Sequence, residues 1–409
     1  MASPIIQVIR LSPFILPNSS TYKRNEIRNV EYQQDNYKSR YDYTTLAYDV
    51  FIAPTGNVIF SGPPLYGLEK FIAEGEFYIN NIKVNKNQIT TKVLDRIQRN
   101  NMKVKTLTEN NTFSWRFGSF NSTNIINYNN NSLFKNKNVL FSKSQNNEPS
   151  WIVDWINFYV KKHKIDSVLL YDNNSTAYSI LDLKEYLQKH VIHNIDIVLI
   201  SWNFNYGPAG GFQKSINKLV PWDSDFCQYG IMEHAKERFL ANANLVINVD
   251  IDELIMTKSK KTIIDLIGKN TGIKIRGKWI ENIPNTQLSQ RKFHNYFYFD
   301  KLTYEGNTKW CVRPQTLAPE TQWCIHTIPK GNLKISKNGF YAHFKAINTS
   351  WQFDRSTITF DPKIHRVDFY LKNQLEKIFE VKRQTIFNHK LLTLLQKIRV
   401  HLSDFIKRS

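Results

Sequence analysis

From residue 139 onward the chain alternates short apolar runs with stretches of helical period, a pattern that calls for βαβ units and a mostly parallel sheet. The apolar runs are Val139 to Ser142, Ser167 to Tyr171, Ile195 to Trp202 and Asn244 to Val249. Between the first two, Pro149 to His163 carries Trp151, Ile152, Trp155, Phe158 and Tyr159 at helical spacing, with Pro149 suited to a first turn. Leu181 to His190 reads as a second helix and Asp223 to Asn242 as a long third one, with Asp223 as its N-cap. The expected fold class is therefore α/β.

At 409 residues the chain exceeds what one hydrophobic core ordinarily covers, so flanking regions are expected around that sheet. Residues 1–135 are rich in Tyr, Asn and Thr, with short runs at Ala47 to Ile52, Asn57 to Phe60 and Glu76 to Ile79 separated by Pro and Gly turn signals. They read as a β-rich accessory region. Asn121 to Asn138 reads as a linker or flexible loop, because Asn dominates it. Three cysteines without CxxC spacing suggest neither a disulfide framework nor a zinc site. Arg10 interrupts the apolar start, which makes a poor signal peptide, and no run is long enough to span a bilayer, so a cytoplasmic or peripheral location is expected. The net charge of +20 predicts attraction to a polyanion.

Chemistry concentrates where the apolar run Leu245-Val246-Ile247 opens into Asp250-Ile251-Asp252-Glu253. Carboxylates at the C-terminal end of a strand lie at the edge where α/β sheets bind ligands. Strand alternation would put Asp250 and Asp252 on one face, where two hard oxygen donors suit Mn²⁺ or Mg²⁺ and, through it, a diphosphate. Glu253 would orient a neighbour or touch the metal. Taken alone, such a triplet also occurs as ordinary solvation of a strand end. Tyr206 to Gly211 is glycine-dense but lacks both the dinucleotide and the P-loop patterns; it reads as a loop near substrate or a plain turn.

Gln145-Asn146-Asn147-Glu148, Trp151 to Ile156, Val168 to Asn173 with Ser175, Gln228 and His234, the Val249 to Glu253 motif, Lys309 with Arg313-Pro314, His326 and His343-Phe344 occur in an order that resembles glycosyltransferases of family 92 and family 2-like enzymes. Phe344 departs from the family's His-Tyr pair. The resemblance covers about residues 138 to 355, in one order and spacing. It implies a GT-A fold over residues 136–360, a nucleotide-sugar donor and a metal at Asp250 and Asp252, with His343 as a further ligand. It also implies that Asn147, Glu148, Asp172 and Asn173 surround base and ribose, while Asp250, Lys309 and Arg313 serve the diphosphate. The competing readings are a helix N-terminus for Glu148, a turn for Asp172-Asn173, and a solvated basic strand for Lys309 and Arg313. His326 reads as a packed or surface residue.

Inverting transfer to a hydroxyl needs a general base. Glu281, beside Trp279-Ile280, is the first candidate and Asp300 another. Within residues 361–409, the segment 382–409 sets Ile386, Leu391, Leu394, Leu395, Ile398 and Leu402 at helical spacing among Lys and Arg. It reads either as a basic helix on an anionic membrane or as a packed helix with a solvated face. The resemblance, with these residues, implies a metal-dependent glycosyltransferase acting on a glycan or lipid-linked acceptor in surface polysaccharide assembly; it favours inversion, while a retaining enzyme would need no such general base. A nucleotidyltransferase and a carbohydrate-binding module are the alternatives. Nucleic acid is not an expected partner, since no recognition signature accompanies the charge.

Overall fold

The computed structural model describes residues 3–104, 107–258, 260–285, 290–302, 305–349 and 355–381. Its centre is a nine-stranded sheet. The strands, in chain order, are β1 (Ile5–Ile9), β2 (Asn138–Ser144), β3 (Ser167–Asp172), β4 (Asp196–Ser201), β5 (Leu245–Asn248), β6 (Glu253–Thr257), β7 (Gly272–Ile280), β8 (Glu305–Val312) and β9 (Lys334–Phe344). Across the sheet they run β1-β4-β3-β2-β5-β8-β7-β9-β6. The half from β1 to β5 is parallel throughout. Beyond β5 the pairings become antiparallel, except that of β7 with β9.

Two helices behave as their sequences dictate. Helix α1 (Pro149–His163) begins on its proline and ends with Lys164 in the left-handed region, at φ 59°. It buries Trp151, Trp155, Phe158 and Tyr159 against the core that β2, β3 and β5 share. Helix α2 (Ile180–His190) opens with a capping box between Ser179 and Asp182.

Helix α3 (Phe226–Ala235) starts three residues after the expected Asp223 cap. Asp223 is drawn away by Arg28, whose Nη2 donates to Oδ1 at 2.6 Å. Every residue of α3 is buried, and a π turn, Lys236–Leu240, continues it. The polar Gln228, Glu233 and His234 of α3 are buried along with its apolar residues, so the helix is covered on more than one side. One cover is the sheet; the other is the amino-terminal region, whose Tyr48 ring lies where a Cβ on Gly230 would stand, at 2.3 Å.

The amino-terminal region is β-rich, as expected. It contains two four-stranded antiparallel sheets, and Phe60, Phe77, Phe113 and Trp115 form an aromatic core with Phe14. Asp49, fully buried, ties this region to α3 and its extension: its Oδ2 lies 2.9 Å from His234 Nε2 and accepts from Arg238 Nη1 at 2.6 Å. β1 extends the central sheet beside β4, so residues before 136 also belong to that sheet.

The Asn-rich stretch is not a loose linker. Phe120–Ile125 is a strand, Asn131–Phe134 a 3-10 turn, and Asn131 and Phe134 are buried. Its amides bond backbone and side chains of the catalytic body: Asn131 Oδ1 accepts from Ala241 N at 2.7 Å, and Asn130 Oδ1 accepts from Arg238 Nε at 3.1 Å. Among the described residues no helix is long and apolar enough to cross a membrane. The basic helix expected over 382–409 lies outside the described residues.

Candidate active site

The parallel strands β2, β3 and β5 end at one edge, and there the chain leaves β5 through a turn at Asp250-Ile251-Asp252 before entering β6. The turn closes on itself: Glu253 N donates to the Asp250 carbonyl at 3.1 Å, and Asp250 N donates to Glu253 Oε2 at 2.9 Å. The carboxylates are therefore gathered by a turn, rather than by alternation along a strand as the sequence suggested. A strand would have carried Glu253 away from Asp252, whereas the turn brings it back.

Two lysines claim Asp250. Lys143, near the end of β2, donates to Oδ1 at 3.1 Å, and Lys309, on β8, donates to Oδ2 at 2.5 Å. Burial raises the Asp250 carboxyl, but the two cations outweigh it and hold it well below the usual carboxylate range. Asp252 faces different partners: His343 Nε2 lies 3.0 Å from its Oδ2, and Arg355 Nη1 donates to that oxygen at 3.2 Å. Burial opposes ionisation here too, yet His343 and Arg355 lower the group. Glu253 has less help. Burial pushes it up to about 7 against the pull of Lys309, 3.3 Å away.

Asp252, Glu253 and His343 can each turn one ligand atom to within 4.8 Å of the others. Two carboxylates and an imidazole fit Mn²⁺ or Mg²⁺ in donor type. The His343 ring is fixed by stacking on Trp279, with centroids 3.9 Å apart and an interplanar angle of 21°. Of the expected ligands, Asp252 and His343 thus fall together with Glu253, while Asp250 stands beside them in the grip of the lysines.

A cavity of 610 Å³ opens over the turn. Of the expected nucleotide contacts, Asn147 and Asn173 line it, at the ends of β2 and β3. Asp172 does not; it takes Ser175 Oγ at 2.6 Å and closes a local turn. Glu148 is exposed at the N-cap of α1. Lys309 is buried behind Asp250. Arg313 is carried to the opposite edge of the sheet, because β8 runs antiparallel to β5: four residues past Lys309 are about 13 Å along a strand. There it donates to Asn244 Oδ1 at 2.7 Å.

The expected bases lie off the cavity wall as well. Glu281 is 4% exposed, with both carboxylate oxygens 2.7 Å from Lys345 Nζ. Asp300 ends a short strand paired with His365–Val367 and accepts from Leu302 N at 2.7 Å. His326 is exposed at the cavity rim with Nδ1 3.1 Å from the Thr308 carbonyl.

Sequence reasoning missed Lys143, Arg96, Asp225 and Arg355, which all line the cavity. Lys143 left a trace, a cation directly after the apolar run Val139 to Ser142. The others reach the site only through the tertiary fold.

A solved structure, the Mn/GDP form of core-mannan synthase A from Aspergillus fumigatus, is similar at 8% identity and a TM-score of 0.24, over 48% of this chain and 57% of that one. The likeness thus spans little more than half of that protein, and it is too faint to add to the sheet described above. No curated protein matches the chain. The model of glycosyltransferase family 92 matches residues 137–390, more than half of the chain and the whole of the turn, the cavity floor and His343. The chain belongs to glycosyltransferase family 92.

Proposed function

We propose that the protein transfers a sugar from a nucleoside diphosphate sugar to a hydroxyl of a glycan or lipid-linked acceptor, with inversion, and that it requires Mn²⁺ or Mg²⁺. The observation that carries this reading is the Asp252, Glu253 and His343 group at the cavity floor, where parallel strands end. A divalent ion held there would supply positive charge for a departing diphosphate. Asp252, Glu253 and His343 would hold it, with Glu253 ligating as the carboxylate.

The remaining roles belong to the chain's own groups. Asn147 and Asn173 offer amides to the base and ribose from the ends of two adjacent strands. Asp250 orders Lys143 and Lys309 at the floor, so their ammonium groups are held in place before any anion arrives. Arg355 donates to Asp252 and lies 5.2 Å from the Trp279 ring centroid, and its guanidinium would serve a phosphate oxygen. Residues 136–360 serve as the catalytic body, and 382–409 as a contact to anionic lipid.

The test is hydrolysis of a panel of UDP- and GDP-sugars with Mn²⁺. One donor is expected to be turned over, with activity lost in Asp252→Ala. No turnover of any donor with either metal would overturn the reading.

A further inference from the structure

Arg96 belongs to the amino-terminal region, outside the residues that match the family, yet it lines the catalytic cavity. It sits at the turn between two strands, Ile89–Leu94 and Ile97–Met102, with φ at 56°, an unusual backbone for a non-glycine residue. The turn is clamped to the catalytic body: Asp95 N donates to Gln322 Oε1 at 3.0 Å, and Gln322 Nε2 donates to the Asp95 carbonyl at 2.8 Å. So seated, Arg96 lies over the Tyr229 ring, 3.9 Å from its centroid, and its Nη1 donates to Asp225 Oδ1 at 2.8 Å.

Asp225 is the unusual member of this pair. It stands at the N-cap of α3, where an aspartate ordinarily bonds the first backbone amides, yet it makes no such bond. It is 1% exposed, and its Oδ2 has no hydrogen-bond partner among the described residues. An orphan carboxylate oxygen is costly to bury and calls for an explanation. Four carboxylates line the cavity, Asp225, Asp250, Asp252 and Glu253, and of these only Asp225 has a buried oxygen without a partner. Near it the Trp222 indole, 46% exposed, lines the cavity and rests on Gly210, where a Cβ would meet the ring at 2.5 Å. A flat indole held this way offers a face to the C–H side of a sugar ring.

We propose that the amino-terminal region completes the acceptor end of the site: Arg96 holds Asp225 so that its free oxygen takes the hydroxyl of an incoming sugar ring seated on Trp222, and then its proton. In the step, the hydroxyl oxygen bonds to the anomeric carbon, the bond from that carbon to the diphosphate breaks with its electron pair on the phosphate oxygen, and the hydroxyl proton passes to Asp225. Arg96 is a positioning residue and Asp225 the proton acceptor. The assignment rests on the glycosyltransfer reading above.

Two readouts test it, alongside Mn²⁺-dependent binding of UDP or GDP, which tests that reading separately. The first is saturation-transfer NMR of a panel of methyl glycosides with Mg²⁺ and UDP or GDP. Wild type is expected to give transfer to at least one glycoside, weakened about tenfold in Arg96→Ala and partly restored in Arg96→Lys, which keeps the charge but not the fork. The second is glycoside-dependent donor turnover in Asp225→Asn, which keeps an acceptor oxygen but takes no proton, expected to fall about a hundredfold. The proposal is overturned if wild type, while binding nucleotide, transfers saturation to no glycoside. It is equally overturned if Arg96→Ala binds the glycoside as wild type does, or if Asp225→Asn keeps the wild-type rate.

Discussion

Single side chains show where burial has set the chemistry. His163 is fully buried at the end of α1; its Nδ1 accepts from Ile263 N at 3.2 Å, which leaves Nε2 to donate to the Ile255 carbonyl at 2.8 Å. A second proton would have to sit on Nδ1, facing an N–H. Burial accordingly lowers this imidazole to about 3. The folded value lies below the unfolded one, so between them the unfolded chain binds the extra proton and stability falls as pH falls. At pH 5 the loss from this group is about 2 kcal/mol relative to neutral pH. Urea midpoints at pH 7 and 5 are expected to differ less in His163→Gln than in wild type, and an equal difference would contradict this account. Glycine makes the same point sterically. Gly230→Ala drives a methyl into the Tyr48 ring and is expected to cost about 1–3 kcal/mol in denaturant unfolding.

At the scale of elements, what the sequence displayed depended on how local the cause was. Helix α1 was legible to the residue, because Pro149 and the aromatic spacing lie within it. The start of α3 was misplaced because Asp223 has every mark of a cap, and its actual partner, Arg28, is 195 residues away in the chain. The acidic tetrad was visible as a motif, but its closure into a turn was not, since the bonds between Asp250 and Glu253 have no sequence signature. Arg313 looked equivalent to Lys309 until the antiparallel course of β8 sent the two to opposite edges. The seam between α3 and the amino-terminal region gives a prediction at this scale. Asp49→Ala leaves His234 and Arg238 without their shared carboxylate and is expected to destabilise by about 3–5 kcal/mol. Thermal unfolding of the variant checks it, and a loss under 1 kcal/mol would show the seam to be incidental.

Over the whole molecule, the +20 charge is only partly consumed by the site. Lys143 and Lys309 are neutralised by Asp250 and Glu253, and Arg96 by Asp225 and Asp95, so these cations organise the cavity without giving it a large free charge. The amino-terminal region is integral to the fold, since β1 extends the central sheet and Asp49 and Tyr48 cover α3. A chain beginning at residue 136 is expected to be insoluble or to lack cooperative unfolding, and a soluble fragment with a sharp thermal transition would show that residues 136–409 fold alone. Deletion of 382–409 is expected to release the protein from anionic liposomes while leaving donor hydrolysis intact.

The central claim, that Asp252, Glu253 and His343 hold a divalent ion for a nucleotide, is tested most directly by electron paramagnetic resonance of free Mn²⁺ titrated with protein, with and without UDP or GDP. Wild type is predicted to deplete the free-ion signal, more strongly with the nucleotide present, and Asp252→Ala to bind at least tenfold more weakly. Mn²⁺ binding that is equal in wild type and Asp252→Ala, or no binding in either, would contradict it.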